Sequence, residues 1–279
     1  MMRLFALLAL LIAAPLQARD TPLTVMSFNV RYANEDDGPD RWSQRRDRLI
    51  AVWRRVGADI VGTQELLQSQ GDAIVAADPR YRWFGRDRRG GHADEHMSIF
   101  YRHDRLKLLD SGDFWLSDTP DVPGSISWEH PYPRMVTWGR FEQRASGRQF
   151  TLINTHFPYR PEDEAAREKA AEAIAAFADT LPAGHPLIVT GDFNTTPESA
   201  AYQRLTRNLR DLWIAADKPQ GVAATYHAFT GKADRRIDWV LARGFVPLAV
   251  CTDSQRVDRR YPSDHFPVVA RLAFSVTRP

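Results

Sequence analysis

PLIVTGDFN, residues 186–194, is an apolar run that stops on Gly-Asp-Phe-Asn. Such a run reads as a buried strand, and the polar residues closing it sit where the strand leaves its sheet. In α/β proteins strand ends meet along one sheet edge, so residues remote in sequence can share a pocket there. The segments SFNVR (27–31), TQE (63–65), NTHF (154–157), RIDWV (236–240) and SDHFP (263–267) repeat the pattern. Their convergence would gather Asn29, Glu65, His156, Asp192, Asn194, Asp238, Asp264 and His265.

On either side of these segments the chain alternates strands and helices. TPLTVMSFNV predicts a strand near 23–30, and Leu49, Val52, Trp53 and Val56 recur at helical spacing behind Ser43, the expected N-cap. ADIVGTQE reads as a short strand and LLQSQGDAIVAADP as a helix ended by Pro79. YRWFGR, MSIFYR and LKLLDSGDFWLS are strand-like, and prolines 120, 123, 131 and 133 mark a loop. MVTWGRFEQR and QFTLINTHF flank Ala145-Ser146-Gly147-Arg148, a hairpin signal because glycine tolerates the positive φ of a tight turn. Residues 161–180 form the clearest helix, with Pro161 in its first turn followed by acids and many alanines. PESAAYQRL adds a short helix, and RRIDWVLAR, FVPLAVCTD and FPVVARLAFSV three strands. Strands outnumber helices, which favours two packed sheets with helices outside over one doubly wound sheet.

Residues 1–18 run from Met1-Met2-Arg3 through LFALLALLIAAPL to Gln17-Ala18, the layout of a secretory signal peptide. Residues 19–279 are expected to form one catalytic domain, since no Gly/Ser linker or charge block interrupts them. No later segment approaches the roughly 20 apolar residues needed to span a membrane. An exported, periplasmic or secreted monomer without stable membrane association is therefore expected. Cys251 lacks a partner for an internal disulfide. The formal charge of +2 is not the strongly basic footprint of a tight nucleic-acid binder. Locally, Arg80, Arg82, Arg86, Arg88, Arg89, Arg102 and Arg105 interleave with Tyr81, Trp83, Phe84 and Tyr101. A solvated face with its strand aromatics turned inward is the plainer reading of that stretch.

The six segments match the needs of phosphate-ester hydrolysis, which are charge on the phosphoryl oxygens, an activated water and a stabilised leaving group. Glu65, Asn29 and Asp264 supply hard oxygens suited to magnesium, or to manganese in its place. Asp238 would orient His265 by holding one ring nitrogen, leaving the other for the phosphate. Asp192 would position or deprotonate water, with Asn194 and His156 as hydrogen-bond donors. Arg31, Arg134 and Arg235 stand near these motifs as phosphate contacts. Each residue also has a plain structural reading: Gly-Asp after a strand is often a turn, and a Glu after Gln64 often starts a helix.

At these residues the chain resembles the endonuclease/exonuclease/phosphatase superfamily, which includes deoxyribonucleases, repair nucleases, inositol-polyphosphate phosphatases, sphingomyelinases and poly(A) deadenylases. The likeness spans about residues 23–275 and holds all six segments in order. It implies a four-layer α/β sandwich and a divalent ion, usually magnesium, at one end. It matches Asn29 and Glu65 to metal-proximal residues, His156 to a phosphate contact, and Asp192 and Asn194 to the water-activating pair. Asp238, Asp264 and His265 match the remaining Asp and the terminal Asp-His pair, and Glu95 the acid that supports His156 in the deoxyribonuclease branch. Arg31 replaces an acid of the repair nucleases, Phe193 a leucine of the inositol phosphatases, and no sphingomyelinase membrane hairpin is present. The overall pattern is similar to a bacterial exported branch.

The first expectation is a metal-dependent phosphodiesterase, nuclease-like, acting on nucleic acid or a nucleotide-like ester. The alternative is an exported phosphatase of small sugar or inositol phosphates, and a third reading is a non-catalytic phospholigand-binding module. Trp42, Trp115 and Trp128 are candidates for a stacking platform beside the pocket, with core packing as their plainer role.

Overall fold

The computed structural model describes residues 21–275, so the signal-peptide expectation for residues 1–18 lies outside the described residues. In chain order the strands are β1 (Leu23–Asn29), β2 (Ile60–Gln64), β3 (Tyr81–Phe84), β4 (Ile99–Arg102), β5 (Leu106–Trp115), β6 (Met135–Gln143), β7 (Gln149–His156), β8 (Leu187–Asp192), β9 (Arg210–Asp211), β10 (Asp238–Arg243), β11 (Phe245–Thr252) and β12 (Val268–Phe274). The helices are α1 (Trp42–Val56), α2 (Gln68–Ala77), α3 (Glu164–Thr180), α4 (Ala200–Thr206) and α5 (Leu212–Ala215). Two six-stranded sheets result, ordered β11-β12-β1-β2-β4-β3 and β5-β6-β7-β8-β10-β9. The short β9 and α5 carry no periodicity that the sequence could reveal.

Alternation along the strands builds the layers. Leu23, Val25, Ile60 and Ile99 of the first sheet meet Phe141, Phe150, Leu152 and Ile188 of the second between the sheets. Met26, Phe28, Val61 and Phe100 face the other way, onto Leu49, Trp53 and Ile74 of α1 and α2. Ile153, Val189 and Leu241 likewise meet Ala170, Ile174 and Leu205 of α3 and α4. Central strands covered on both faces read as continuous apolar runs, which is why they were visible in sequence. The four-layer α/β sandwich is as expected.

Two local signals behave differently from one another. Gly147 takes φ +72° in the β6–β7 turn, as the hairpin reading requires. Ser43, by contrast, is not the N-cap of α1: Arg41 holds that position, and Ser43 Oγ accepts a hydrogen bond from Arg41 Nε at 3.2 Å. A 3-10 turn over Glu35–Asp40, started by the Asn34 side chain accepting from the Asp36 N–H, feeds directly into α1 and displaces the expected cap.

Strand direction then gathers the polar residues. β1 with β2, and β7 with β8, are parallel; β12 and β10 run antiparallel to β1 and β8. Asn29 ends β1, Glu65 follows β2, His156 ends β7, Asp192 ends β8, Asp238 opens β10, and Asp264-His265 precede β12. His156, Asp192 and Asp238 are direct neighbours in register across three strands.

Beneath this edge the two sheets touch through buried polar groups. Gln64 Nε2 donates to Asn154 Oδ1 at 2.7 Å, Thr190 Oγ1 donates to the same oxygen at 3.0 Å, and Asn154 Nδ2 donates to the Thr63 carbonyl at 2.7 Å. Gly62 leaves room for them: a Cβ there would fall on Thr190 Oγ1 and within 2.5 Å of Asn154 Oδ1. Gly62→Ala is expected to cost about 1–3 kcal/mol by overpacking. The urea midpoint checks this, and an unchanged midpoint would mean that the layer yields.

Candidate active site

Asp192 is the hub of the site. Its Oδ2 accepts from Asn29 Nδ2 at 3.0 Å and lies 3.5 Å from His156 Nε2 and 3.7 Å from His265 Nε2. Its Oδ1 accepts from the Asn194 N–H at 3.0 Å. Asn29 Nδ2 also meets Glu65 Oε1 at 3.0 Å, while its Oδ1 accepts from the Arg31 N–H at 2.9 Å. One amide therefore spaces two carboxylates and holds the turn after β1.

Arg31, Glu65 and Asn194 adopt φ of +53°, +60° and +50° just beyond three strand ends. Non-glycine residues pay for that conformation, so it persists only where surroundings impose it. The surroundings here are specific. Buried Arg45 donates to the carbonyls of Val30 (2.6 Å), Tyr32 (3.1 Å) and Pro262 (3.0 Å), and Gln70 Nε2 donates to the Arg31 carbonyl at 2.9 Å. Glu65 Oε2 accepts from the Tyr32 N–H at 3.2 Å. Asn194 Nδ2 donates to the Phe157 carbonyl at 3.1 Å, and Asn194 lines the pocket.

The two histidines are tuned apart. His265 Nδ1 is 2.8 Å from Asp238 Oδ2. Burial works against a charge on His265, but Asp238, Asp192 and Asp264 outweigh it and hold its pKa well above the ordinary imidazole value. Burial, then Arg134 and His265, push His156 well below that value. Burial, followed by the charge of Asp238, raises Asp192 to about 7. Neighbouring groups pushed in opposite directions are the usual mark of acid-base assignments. Asp238→Asn should remove the main partner of the His265 cation. The protonated form would then be lost at lower pH, moving the alkaline limb of a pH–rate profile about 1–3 pH units toward acid. An unmoved limb would detach that limb from His265.

The pocket at this edge has a volume of about 580 Å³. Arg31, Glu65, Arg134, His156, Asp192, Asn194, Arg235, Asp264 and His265 line it, with Asn29 and Asp238 behind as supports. The eight polar residues of the six segments, with Arg31, Arg134 and Arg235, are thus brought to one sheet edge. The arginines are placed unequally: Arg31 makes a two-point contact with Asp37 (2.9 and 2.7 Å), Arg235 is half exposed beside Asp234, and Arg134 is buried with Nη1 unpartnered among the described residues.

Two expectations are corrected. Glu95 does not support His156; it pairs with Arg88 at 3.0 Å, and His156 Nδ1 has no partner among the described residues. Among the described residues no tryptophan lines the pocket. Trp115 is buried with Nε1 on the Arg88 carbonyl, Trp128 Nε1 binds Asp118, and Trp42 packs on the core. Tyr32, Tyr132, Tyr159 and Tyr226 line the pocket instead. Three of them lie over arginines: Arg31 on Tyr32 (4.6 Å), Arg88 on Tyr132 (4.6 Å) and Arg235 on Tyr226 (4.5 Å). Sequence reasoning placed Arg88 only in a basic stretch, and missed Arg45 and His227, whose N–H donates to the Asp264 carbonyl at 2.9 Å. Only adjacency to SFNVR offered a hint, and only for Tyr32.

The donor set suits a divalent cation. Glu65, His156 and Asp192 each offer an atom within 4.8 Å of the others. Burial raises the pKa of Asp264, and Glu65 adds to that rise while His265 opposes it. A cation beside Glu65 and Asp264 would offset their mutual repulsion.

Comparison with known proteins agrees with this geometry. The profile of the Endonuclease/Exonuclease/phosphatase family matches residues 26–265. The chain belongs to that family, whose members are hydrolases of phosphate esters. A family protein from Bacteroides thetaiotaomicron is similar over 92% of this chain and 99% of its own, at 33% identity and a TM-score of 0.86. A mannosyl-6-phosphatase from the same organism is similar at 33% identity over 90% of this chain and 100% of its own, with a TM-score of 0.85. The CCR4-Not complex 3'-5'-exoribonuclease subunit Ccr4 of Aspergillus niger is 23% identical over 61% of this chain, which spans 34% of that protein.

Proposed function

We propose that the protein is a magnesium-dependent phosphoesterase, with manganese able to substitute, that hydrolyses small phosphorylated sugars. The observation that carries this reading is a pocket of about 580 Å³, within the usual range for small ligands. Arg80, Arg88, Arg89, Arg102 and Arg105 in the basic stretch are paired with Asp78, Asp94 and Glu95, Asp94, Asp104 and Asp59 respectively. A polyanion needs cations that can exchange counterions, and these are already neutralised. The likeness to a mannosyl-6-phosphatase supports the same substrate class. The nuclease-like diesterase ranks second, and the signal-like residues 1–18 support export.

Within the site, each residue follows from its geometry. Asp192, ordered by Asn29, accepts a proton from water. His265, kept protonated by Asp238, donates to a phosphoryl oxygen. His156 and Asn194 donate at the other side, and Arg134 contributes positive charge. A bound divalent cation would supply neutralisation of the phosphoryl oxygens, with Glu65 and Asp264 as the carboxylates to hold it. Glu65→Gln is expected to raise the magnesium needed for half-maximal rate about 10–100-fold with little change in melting temperature. Identical magnesium affinity by calorimetry would count against Glu65.

A substrate panel tests the proposal. Hexose 6-phosphates should release phosphate far faster than supercoiled plasmid is nicked, with both assays in magnesium and both repeated with manganese. Rapid nicking with inert sugar phosphates would overturn the sugar reading in favour of the nuclease.

A further inference from the structure

We propose that the pocket wall formed by Arg88, Asp94, Glu95, Tyr132 and Tyr159 is a subsite for the hydroxyl-bearing ring of the substrate, distinct in role from the groups that handle phosphate. The inference rests on the small-phosphoester reading above and names which part of the sugar this wall would take.

Carboxylates facing a pocket that receives a phosphate dianion oppose binding, unless the part of the ligand beside them is neutral. Asp94 and Glu95 line the pocket and no step of the hydrolysis uses them. Each pairs with Arg88 at 3.0 Å, through Oδ1 and Oε1. Such a set presents donors and acceptors side by side, the complement of neighbouring ring hydroxyls, which also both donate and accept. Arg88 is 8% exposed, and its Nε has no partner among the described residues.

Aromatic cover completes the wall. Tyr132 lies on Arg88, and Tyr159 stacks on Tyr132 with centroids 6.3 Å apart. Tyr132 and Tyr159 are 38% and 52% exposed, which leaves apolar ring surface for the C–H face of a sugar. The segment is also stiff. Asp87 accepts from the N–H groups of Arg89, Gly91, Ala93 and Asp94 at 2.7–2.9 Å, and the Arg88 N–H donates to the Glu95 carbonyl at 2.8 Å. Preorganisation of this kind lowers the ordering cost of binding.

Glu95→Gln and the exposed-ring variant Tyr159→Ala test the subsite, using mannose 6-phosphate and ethyl phosphate, which has neither ring nor free hydroxyl. Each substitution is expected to raise KM for mannose 6-phosphate about tenfold, with kcat and ethyl phosphate turnover within about twofold. Methyl α-mannoside should compete with ethyl phosphate on the wild-type protein and weakly on Glu95→Gln. Equal losses on both substrates, or no selective loss, would overturn the subsite while leaving the sugar phosphatase intact. Competition by adenosine in place of methyl α-mannoside would overturn it in favour of a base-stacking wall. Wild-type protein inert toward mannose 6-phosphate would sink the sugar-phosphate reading itself, and the subsite with it.

Discussion

Asp192→Asn is expected to lower turnover about 10³–10⁴-fold without weakening the fold. The carboxylate sits in register between His156 and Asp238 and accepts from Asn29 and from the Asn194 N–H. An amide fills the same space but cannot take a proton from water, and its NH2 would face a donor on one side. Stability should move the other way. Asp192 is an acid whose folded pKa, about 7, lies above the unfolded value of roughly 4. Its ionisation therefore destabilises the fold progressively as pH rises between those values, and the effect is complete above 7. In metal-free buffer at pH 8 the Asn variant should melt at or above the wild-type temperature. A marked drop in melting temperature together with activity would make Asp192 structural.

His265→Ala is expected to lose about 10²–10⁴-fold in turnover and to lose stability as well. The imidazolium is buried against Asp238, whose other oxygen is unpartnered among the described residues. Removing one member of a buried pair strands the other charge, at a cost of about 3–5 kcal/mol. The double variant His265→Ala/Asp238→Asn should regain much of that stability and none of the activity. Recovery of activity in the double variant would remove His265 from the chemistry.

The contrast between these variants reflects how the site was readable in sequence. GDFN, SDHFP and RIDWV were legible because each polar residue follows or opens an apolar strand, and parallel pairing carries such ends to one edge. The four layers were legible for the same reason: double-sided burial leaves continuous apolar runs. What the sequence hid were contacts set by distant partners. Arg88 and Tyr132 are separated by the whole of β4 and β5, so nothing local marks them as a pair. Glu95 resembled a support for His156 by position alone, yet its carboxylate pairs with Arg88 at 3.0 Å. Ser43 had the right residue type for a cap, but the preceding 3-10 turn decided where α1 begins. In the basic stretch from Arg80 to Arg105, Asp94, Glu95 and Asp104 pair with Arg88, Arg89 and Arg102 from within the stretch, while Arg80 and Arg105 are met by Asp78 and Asp59 from outside it.

The most direct test of a metal-dependent sugar phosphatase is phosphate release from mannose 6-phosphate by the purified protein, first with magnesium and then with a chelator. Rapid release that stops on chelation and returns with added magnesium is the predicted result. Release indifferent to chelation, or no release by folded protein in magnesium, would contradict it.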